Sequence, residues 1–195
     1  MKKACKKSCE KVGGSPTKSL VFTAVFAALC TVSTLLIVLP LPFGYFNTGD
    51  VFVLLSGWCL GPVYGAIAAG VGSALADVIS GFTLYAPATF IIKSVVAVLA
   101  YFVFTFLKGW IKWKKGGFIA RAISAAIGEL FMMEGYFLYE WVLYGFAGAT
   151  ATLLGNGLQA ISCLILATMV IGILYPIKGV RTLFPALSKW DSREK

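Results

Sequence analysis

Residues 51–76 read VFVLLSGWCLGPVYGAIAAGVGSALA, and the fold turns on how often this stretch crosses a membrane. It contains no charged residue, and Gly61-Pro62 interrupts it. Proline removes a backbone donor and glycine tolerates a positive φ, so the pair reads as a break. The stretch is then either a tight hairpin of two short helices or one broken segment. The flanking loops constrain the choice. One runs from Pro40 to Asp50 and the other spans residues 80–85, and neither carries a lysine or arginine. Loops without basic residues are assigned to the outside. A stretch with both ends outside crosses zero times or twice, so the chain has four or six helices, and six is the expectation. Each hairpin arm is short for a hydrocarbon core of ~30 Å, which calls for tilt or local thinning. Gly65, Ala69, Gly70 and Ala74 offer small residues at helical spacing for close packing.

Outward from this stretch, residues 20–39, 86–107, 122–144 and 151–174 are apolar runs of spanning length. Every basic residue except Lys93 falls in one of three clusters beside these runs. Lys2, Lys3, Lys6, Lys7, Lys11 and Lys18 precede the first run. Lys108, Lys112, Lys114, Lys115 and Arg121 form one linker, and Lys178, Arg181, Lys189, Arg193 and Lys195 close the chain. The clustering accounts for the net charge of +9 as a topology signal beside anionic lipid rather than a nucleic-acid surface. Only 13% of the residues are charged, against about 25% in a soluble domain, and mean hydropathy is +0.87. The expected fold is therefore an all-α integral membrane protein with six transmembrane helices and both termini cytoplasmic. Residues 1–19 and 176–195 are basic cytoplasmic tails, and residues 20–175 form the membrane domain. The first apolar run spans a full bilayer and no small-residue cleavage site follows Pro40, which argues against a cleaved signal peptide. Of the five cysteines, Cys5 and Cys9 lie in the reducing cytoplasmic tail, and all five are expected to be structurally incidental.

The chemistry-bearing residues exclude several classes. The chain has no histidine, no Walker A loop and no G-x-S-x-G, which argues against an enzyme, and no metal site is expected. Polar groups in or beside the apolar runs are functional candidates because burying them in lipid is costly. Asn47, Asp50, Asp77, Tyr85 and Glu140 fall at the outer rim, and Lys93, Glu129, Glu134, Asn156 and Gln159 lie deeper. Lys93 is open to two readings, an ion pair with Asp77 or direct ligand contact. Glu129, Met133, Tyr136 and Glu140 share one helical face at offsets 0, 4, 7 and 11, with Glu134 on another. Asn156 and Gln159 share a face at i, i+3. Together these residues suggest a polar, aromatic-lined pocket open to the outside. No line of charge runs through the bilayer, which argues against an ion channel.

Several stretches resemble a known family: residues 44–50 (GYFNTGD), 61–65 (GPVYG), 72–77 (GSALAD), 85–93 (YAPATFIIK), 135–140 (GYFLYE) and 155–159 (GNGLQ). They are similar to substrate-binding S components of energy-coupling factor (ECF) vitamin transporters, over roughly residues 18–178. The nearest branch holds the pyridoxine, hydroxymethylpyrimidine and riboflavin S components. The resemblance implies six helices, a vitamin site near the outer face and residence in a bacterial plasma membrane. Its implied partners are a transmembrane T subunit and two ATP-hydrolysing subunits, with no cofactor on this chain. It implies that Ala24 and Ala28, an A-x-x-x-A motif on the first helix, dock the T subunit; internal packing is the alternative. The expected substrate is a small flat vitamin or precursor, pyridoxine- or hydroxymethylpyrimidine-like first and riboflavin second. The expected binding residues are Asn47, Asp50, Tyr85, Lys93, Glu129, Tyr136, Glu140, Asn156 and Gln159. A standalone carrier or channel is the other reading.

Overall fold

A computed structural model of the chain describes residues 16–36, 38–40, 45–110, 116–184 and 186–187. The elements are α1 (Pro16–Leu36), β1 (Val38–Pro40), β2 (Tyr45–Asn47), α2 (Gly49–Leu60), α3 (Pro62–Ile79), α4 (Ala86–Trp110), α5 (Gly116–Leu174) and α6 (Lys178–Leu183). Helices α1, α3, α4 and α5 are long and apolar enough to cross a membrane, and α2 is a shorter apolar helix. Most of the cysteine and lysine positions of the two tails, and Lys112, Lys114 and Lys115 of the linker, lie outside the described residues.

The break at Gly61-Pro62 is a hairpin. Gly61 has φ 85°, a region open to glycine, and Pro62 supplies the preset φ of the first turn of α3. Ser56 Oγ donates to the carbonyl of Gly65 at 3.1 Å, so the two arms lie against each other. Small residues seat α3 among its neighbours, Gly65 and Gly70 of the expected set together with Gly72. Gly65 meets the backbone of Ser56, Gly70 meets Phe90 and Ser94 of α4, and Gly72 meets Ala27 and Cys30 of α1. At Gly72 the approach is closed by Thr31, whose hydroxyl donates to the Gly72 carbonyl at 2.8 Å.

Helix α5 is 59 residues long, which at 1.5 Å per residue is about three hydrocarbon thicknesses. It does not run straight: Gly145 leaves helical geometry at φ 76°, ψ 175°. The expected loop over residues 145–148 is thus a break at one residue, with helix resuming at once. Two further differences from the sequence reading concern the first loop and the helix ends. The first helix stops at Leu36, and residues 38–40 pair antiparallel with 45–47, Val38 opposite Asn47. The short antiparallel pair satisfies backbone groups that an irregular loop would leave to find partners elsewhere. Helix α4 extends to Trp110 and α5 starts at Gly116, so both reach into the basic linker.

Burial is arranged for lipid. Leu36, Ile91, Phe106, Leu130, Leu154 and Ile173 point outward, while Asp50, Lys93, Glu129 and Gln159 are inside. At the tail end of the bundle Phe184 packs on Phe22 and Phe26 of α1, with ring centroids 4.9 and 6.0 Å away, tying the segment after α5 to the first helix.

The expected orientation has a direct test. A cysteine placed at residue 83 or 147 should react with an impermeant thiol reagent from outside intact cells, and one at residue 114 should not. Positions 83 and 147 are exposed, whereas Thr48, between β2 and α2, is buried, so a thiol there would be shielded on either side. Labelling at residue 114 in intact cells would reverse the assignment.

Candidate functional site

One end of the bundle encloses a cavity of about 530 Å³. Its wall is built from every helix of the membrane domain: Thr34 of α1, Asp50 of α2, Ser73 and Asp77 of α3, Thr89 and Lys93 of α4, and residues on both arms of α5. Asn47 of β2 and Phe82 and Tyr85 of the loop after α3 complete the rim.

The floor is one connected chain of polar contacts. Lys93 Nζ lies 2.6 and 2.7 Å from the two carboxylate oxygens of Asp50. Gln159 Nε2 donates to Asp50 Oδ2 at 2.6 Å. Asn47 Nδ2 and its backbone N–H donate to Gln159 Oε1 at 3.0 and 3.3 Å, and Asn47 Oδ1 accepts from the Gly49 N–H at 2.9 Å. Asp50 is 1% exposed and Lys93 5%, so the pair is removed from water and satisfied by its neighbours. Lys93 Nζ also stands 5.2 Å from the centroid of the Tyr136 ring, a cation–π distance. Tyr136 OH shares a 2.9 Å hydrogen bond with Thr89 Oγ1.

The upper wall is held by Glu140. Its carboxylate accepts from the Thr152 hydroxyl, across the Gly145 break, and from Tyr85 OH at a long 3.4 Å. The Tyr85 ring stacks edge-on against Tyr139 at 5.6 Å, and Tyr139 OH donates to the carbonyl of Leu84 at 2.6 Å. Glu140 thus joins both arms of α5 to the loop after α3.

Asn47, Asp50, Tyr85, Lys93, Tyr136, Glu140, Asn156 and Gln159 all lie on the cavity wall. Glu129 does not. It lies seven residues before Tyr136, about 10 Å deeper along α5, and is 2% exposed. Among the described residues neither of its carboxylate oxygens has a hydrogen-bond partner. The helical face assigned from the sequence is right, but the cavity closes above it. Lys93 takes Asp50 as its ion-pair partner rather than Asp77, which stands on the cavity wall. Ala24 and Ala28 are exposed on the surface of α1, away from Thr23, Phe26 and Cys30 on its buried face.

Sequence reasoning passed over Thr34, Ser73, Thr89, Tyr144 and Thr152. For most of them a signal was present. Ser73, Thr89 and Thr152 each precede Asp77, Lys93 and Asn156 by four residues, and Tyr144 follows Glu140 by four. Residues four apart share a helical face, so each of these polar side chains extends a stripe already marked by its neighbour. Among the described residues no group of three or more histidine, cysteine, aspartate or glutamate side chains is placed to hold a metal ion.

A buried polar cavity at one end of an apolar helix bundle defines a membrane protein built to hold a small solute. The chain belongs to the family of ECF-type riboflavin transporter S components, which it matches over residues 15–176. That is a family of transporter components, not of enzymes. A curated relative from Pyrococcus woesei, described as an uncharacterized protein in a gap 3′ region, is 36% identical over 138 residues, covering 70% of this chain and 87% of the relative.

Proposed function

We propose that this chain is the substrate-capture subunit of an ECF-type importer. It takes a small, flat, water-soluble vitamin or precursor at the outer face and delivers it through a T subunit and two ATPases. The observation that carries the reading is the cavity itself, whose wall collects polar and aromatic side chains from helices that are otherwise apolar. In this reading Asp50, Lys93, Gln159 and Asn47 form a preorganised floor, Asn156 and Glu140 meet the polar groups of the ligand, and Tyr85 and Tyr136 flank its ring. Asp77 joins Glu140 as a second acceptor on the wall. Glu129 takes no part in contact. Exposure of Ala24 and Ala28 favours docking of a partner helix over internal packing. The surrounding apolar surface and the basic flanks fit six crossings with both termini in the cytoplasm.

A pyridoxine- or hydroxymethylpyrimidine-like ring is the first choice of substrate, because carboxylates on the wall suit ring nitrogens and hydroxyls that donate. Riboflavin is the second. It is favoured by the name of the matching family and by a volume within the range that accommodates drug-sized ligands.

The test is a thermal-shift screen of B vitamins and their precursors against the protein purified alone. A ligand present at 100 times its Kd stabilises the folded state by about 2.7 kcal/mol, which such a screen resolves. If no vitamin or precursor raises the melting temperature, the capture reading is wrong. For the ligand found, Asn156→Ala and Glu140→Ala should each weaken binding by roughly 5- to 150-fold in calorimetry. A buried hydrogen bond left unmade costs about 1–3 kcal/mol, and 1.4 kcal/mol is tenfold. Unchanged affinity in both variants removes the two residues from the site.

A further inference from the structure

The charges around the cavity are unequal in a way that bears on what can enter it. Among the described lining residues Lys93 is the only cation, against the carboxylates of Asp50, Asp77 and Glu140. Its ammonium is already held by both oxygens of Asp50 and rests against the Tyr136 ring. Glu129, buried behind this pair, supplies no positive charge. The nearest basic residue along the same helix is Lys108, fifteen residues and about 22 Å away, too far to contact a ligand in the cavity. The rest of the wall is uncharged: the rings of Phe82, Tyr85, Tyr136 and Tyr144, whose faces attract cations and repel anions, alternate with hydroxyl and amide side chains such as Thr34, Ser73 and Asn156.

We infer that the cavity admits its ligand only in a neutral or cationic, donor-bearing form and excludes phosphate esters and carboxylates of the same molecule. The inference rests on the capture reading and deepens it: the site would take the free vitamin or precursor and reject its phosphorylated form. An incoming phosphate would find no free cation among the described lining residues, and Asp77 and Glu140 would face it across a wall otherwise uncharged and surrounded by lipid, where Coulomb repulsion is weakly screened. A donor or a protonated ring nitrogen would meet the same carboxylates favourably.

The experiment pairs each parent with its phosphate ester: pyridoxine with pyridoxine 5′-phosphate, hydroxymethylpyrimidine with its monophosphate, riboflavin with flavin mononucleotide. Each is titrated calorimetrically into the purified full chain. Whichever parent binds, its ester should bind at least about 100-fold more weakly, a gap of about 2.8 kcal/mol. An ester within threefold of its parent overturns the inference and leaves the capture reading standing. Binding of no parent and no ester overturns the capture reading, and this inference with it. Size and charge are separated by Glu140→Gln, which keeps the shape of the wall and removes one charge. It should narrow the parent-to-ester ratio by about tenfold. Asp77→Asn serves the same purpose if the first variant does not fold. A ratio unchanged in a folded variant would mean that the ester is rejected by size, and the electrostatic inference would be wrong.

Discussion

Replacing Lys93 with methionine is expected to lower the thermal unfolding midpoint by about 6–20 °C. The Lys93–Asp50 pair is buried on both sides, and Asp50 would keep only the amide of Gln159 as partner. Removing one member of a buried pair leaves an uncompensated charge and costs about 3–5 kcal/mol. For a chain of this length each kcal/mol corresponds to about 2–4 °C. The loss should spread through the floor, because Gln159 also orders Asn47 and the β2–α2 junction. Combining Lys93→Met with Asp50→Asn removes both charges and should recover a coupling of about 0.5–3 kcal/mol. The measurement is melting in detergent, with ligand titration on whatever remains folded. A single variant that melts within about 2 °C of the parent would show that the pair does not hold the floor together. If that variant also lost its ligand, Lys93 would be reassigned to direct contact.

The pair also shows where sequence reasoning stops. A lysine inside an apolar helix announces that a carboxylate must be near, since its charge has nowhere else to go. The sequence offers Asp77 at the end of one helix and Asp50 at the start of another, and the choice depends on how α2 leans on α4. The polar residues of the cavity wall are legible for the same reason. Asn156, Gln159 and Glu140 interrupt apolar runs and must face protein or water. Glu129 obeys the same rule yet lies below the cavity, because periodicity gives the face of a helix and not the depth at which neighbouring helices close over it. The hairpin at Gly61-Pro62 is legible from the break that the pair makes in an uncharged stretch, and its steric cause is the positive φ of Gly61. At Gly145 the sequence suggests a small loop over residues 145–148, where the structure has a break at one residue. One residue suffices, since its φ of 76° redirects the chain and both arms can stay helical. The β1–β2 hairpin had no periodic signal, being only three residues per strand.

Changing Ala24 and Ala28 together to leucine is expected to abolish uptake while leaving ligand affinity unchanged. The two alanines lie one turn apart and are exposed, so they make a small flat patch that a partner helix can approach closely. Leucine side chains there would hold the two backbones apart. They would cost the isolated bundle little, because neighbouring Leu20, Val21 and Val25 are already exposed on α1 and lipid accepts leucine as readily. The contribution of α1 to the cavity is Thr34, six residues and about 9 Å beyond Ala28. Calorimetry should therefore find the same affinity in the double variant as in the parent, and the variant should no longer co-purify with the T subunit and its ATPases. A standalone carrier would have no such partner to lose. Uptake by the unaltered chain in cells lacking every T subunit would refute the importer reading. Loss of ligand binding and of monodispersity together would mean that the patch packs within a bundle rearranged from the one described. The docking assignment would then fail even though the family stands.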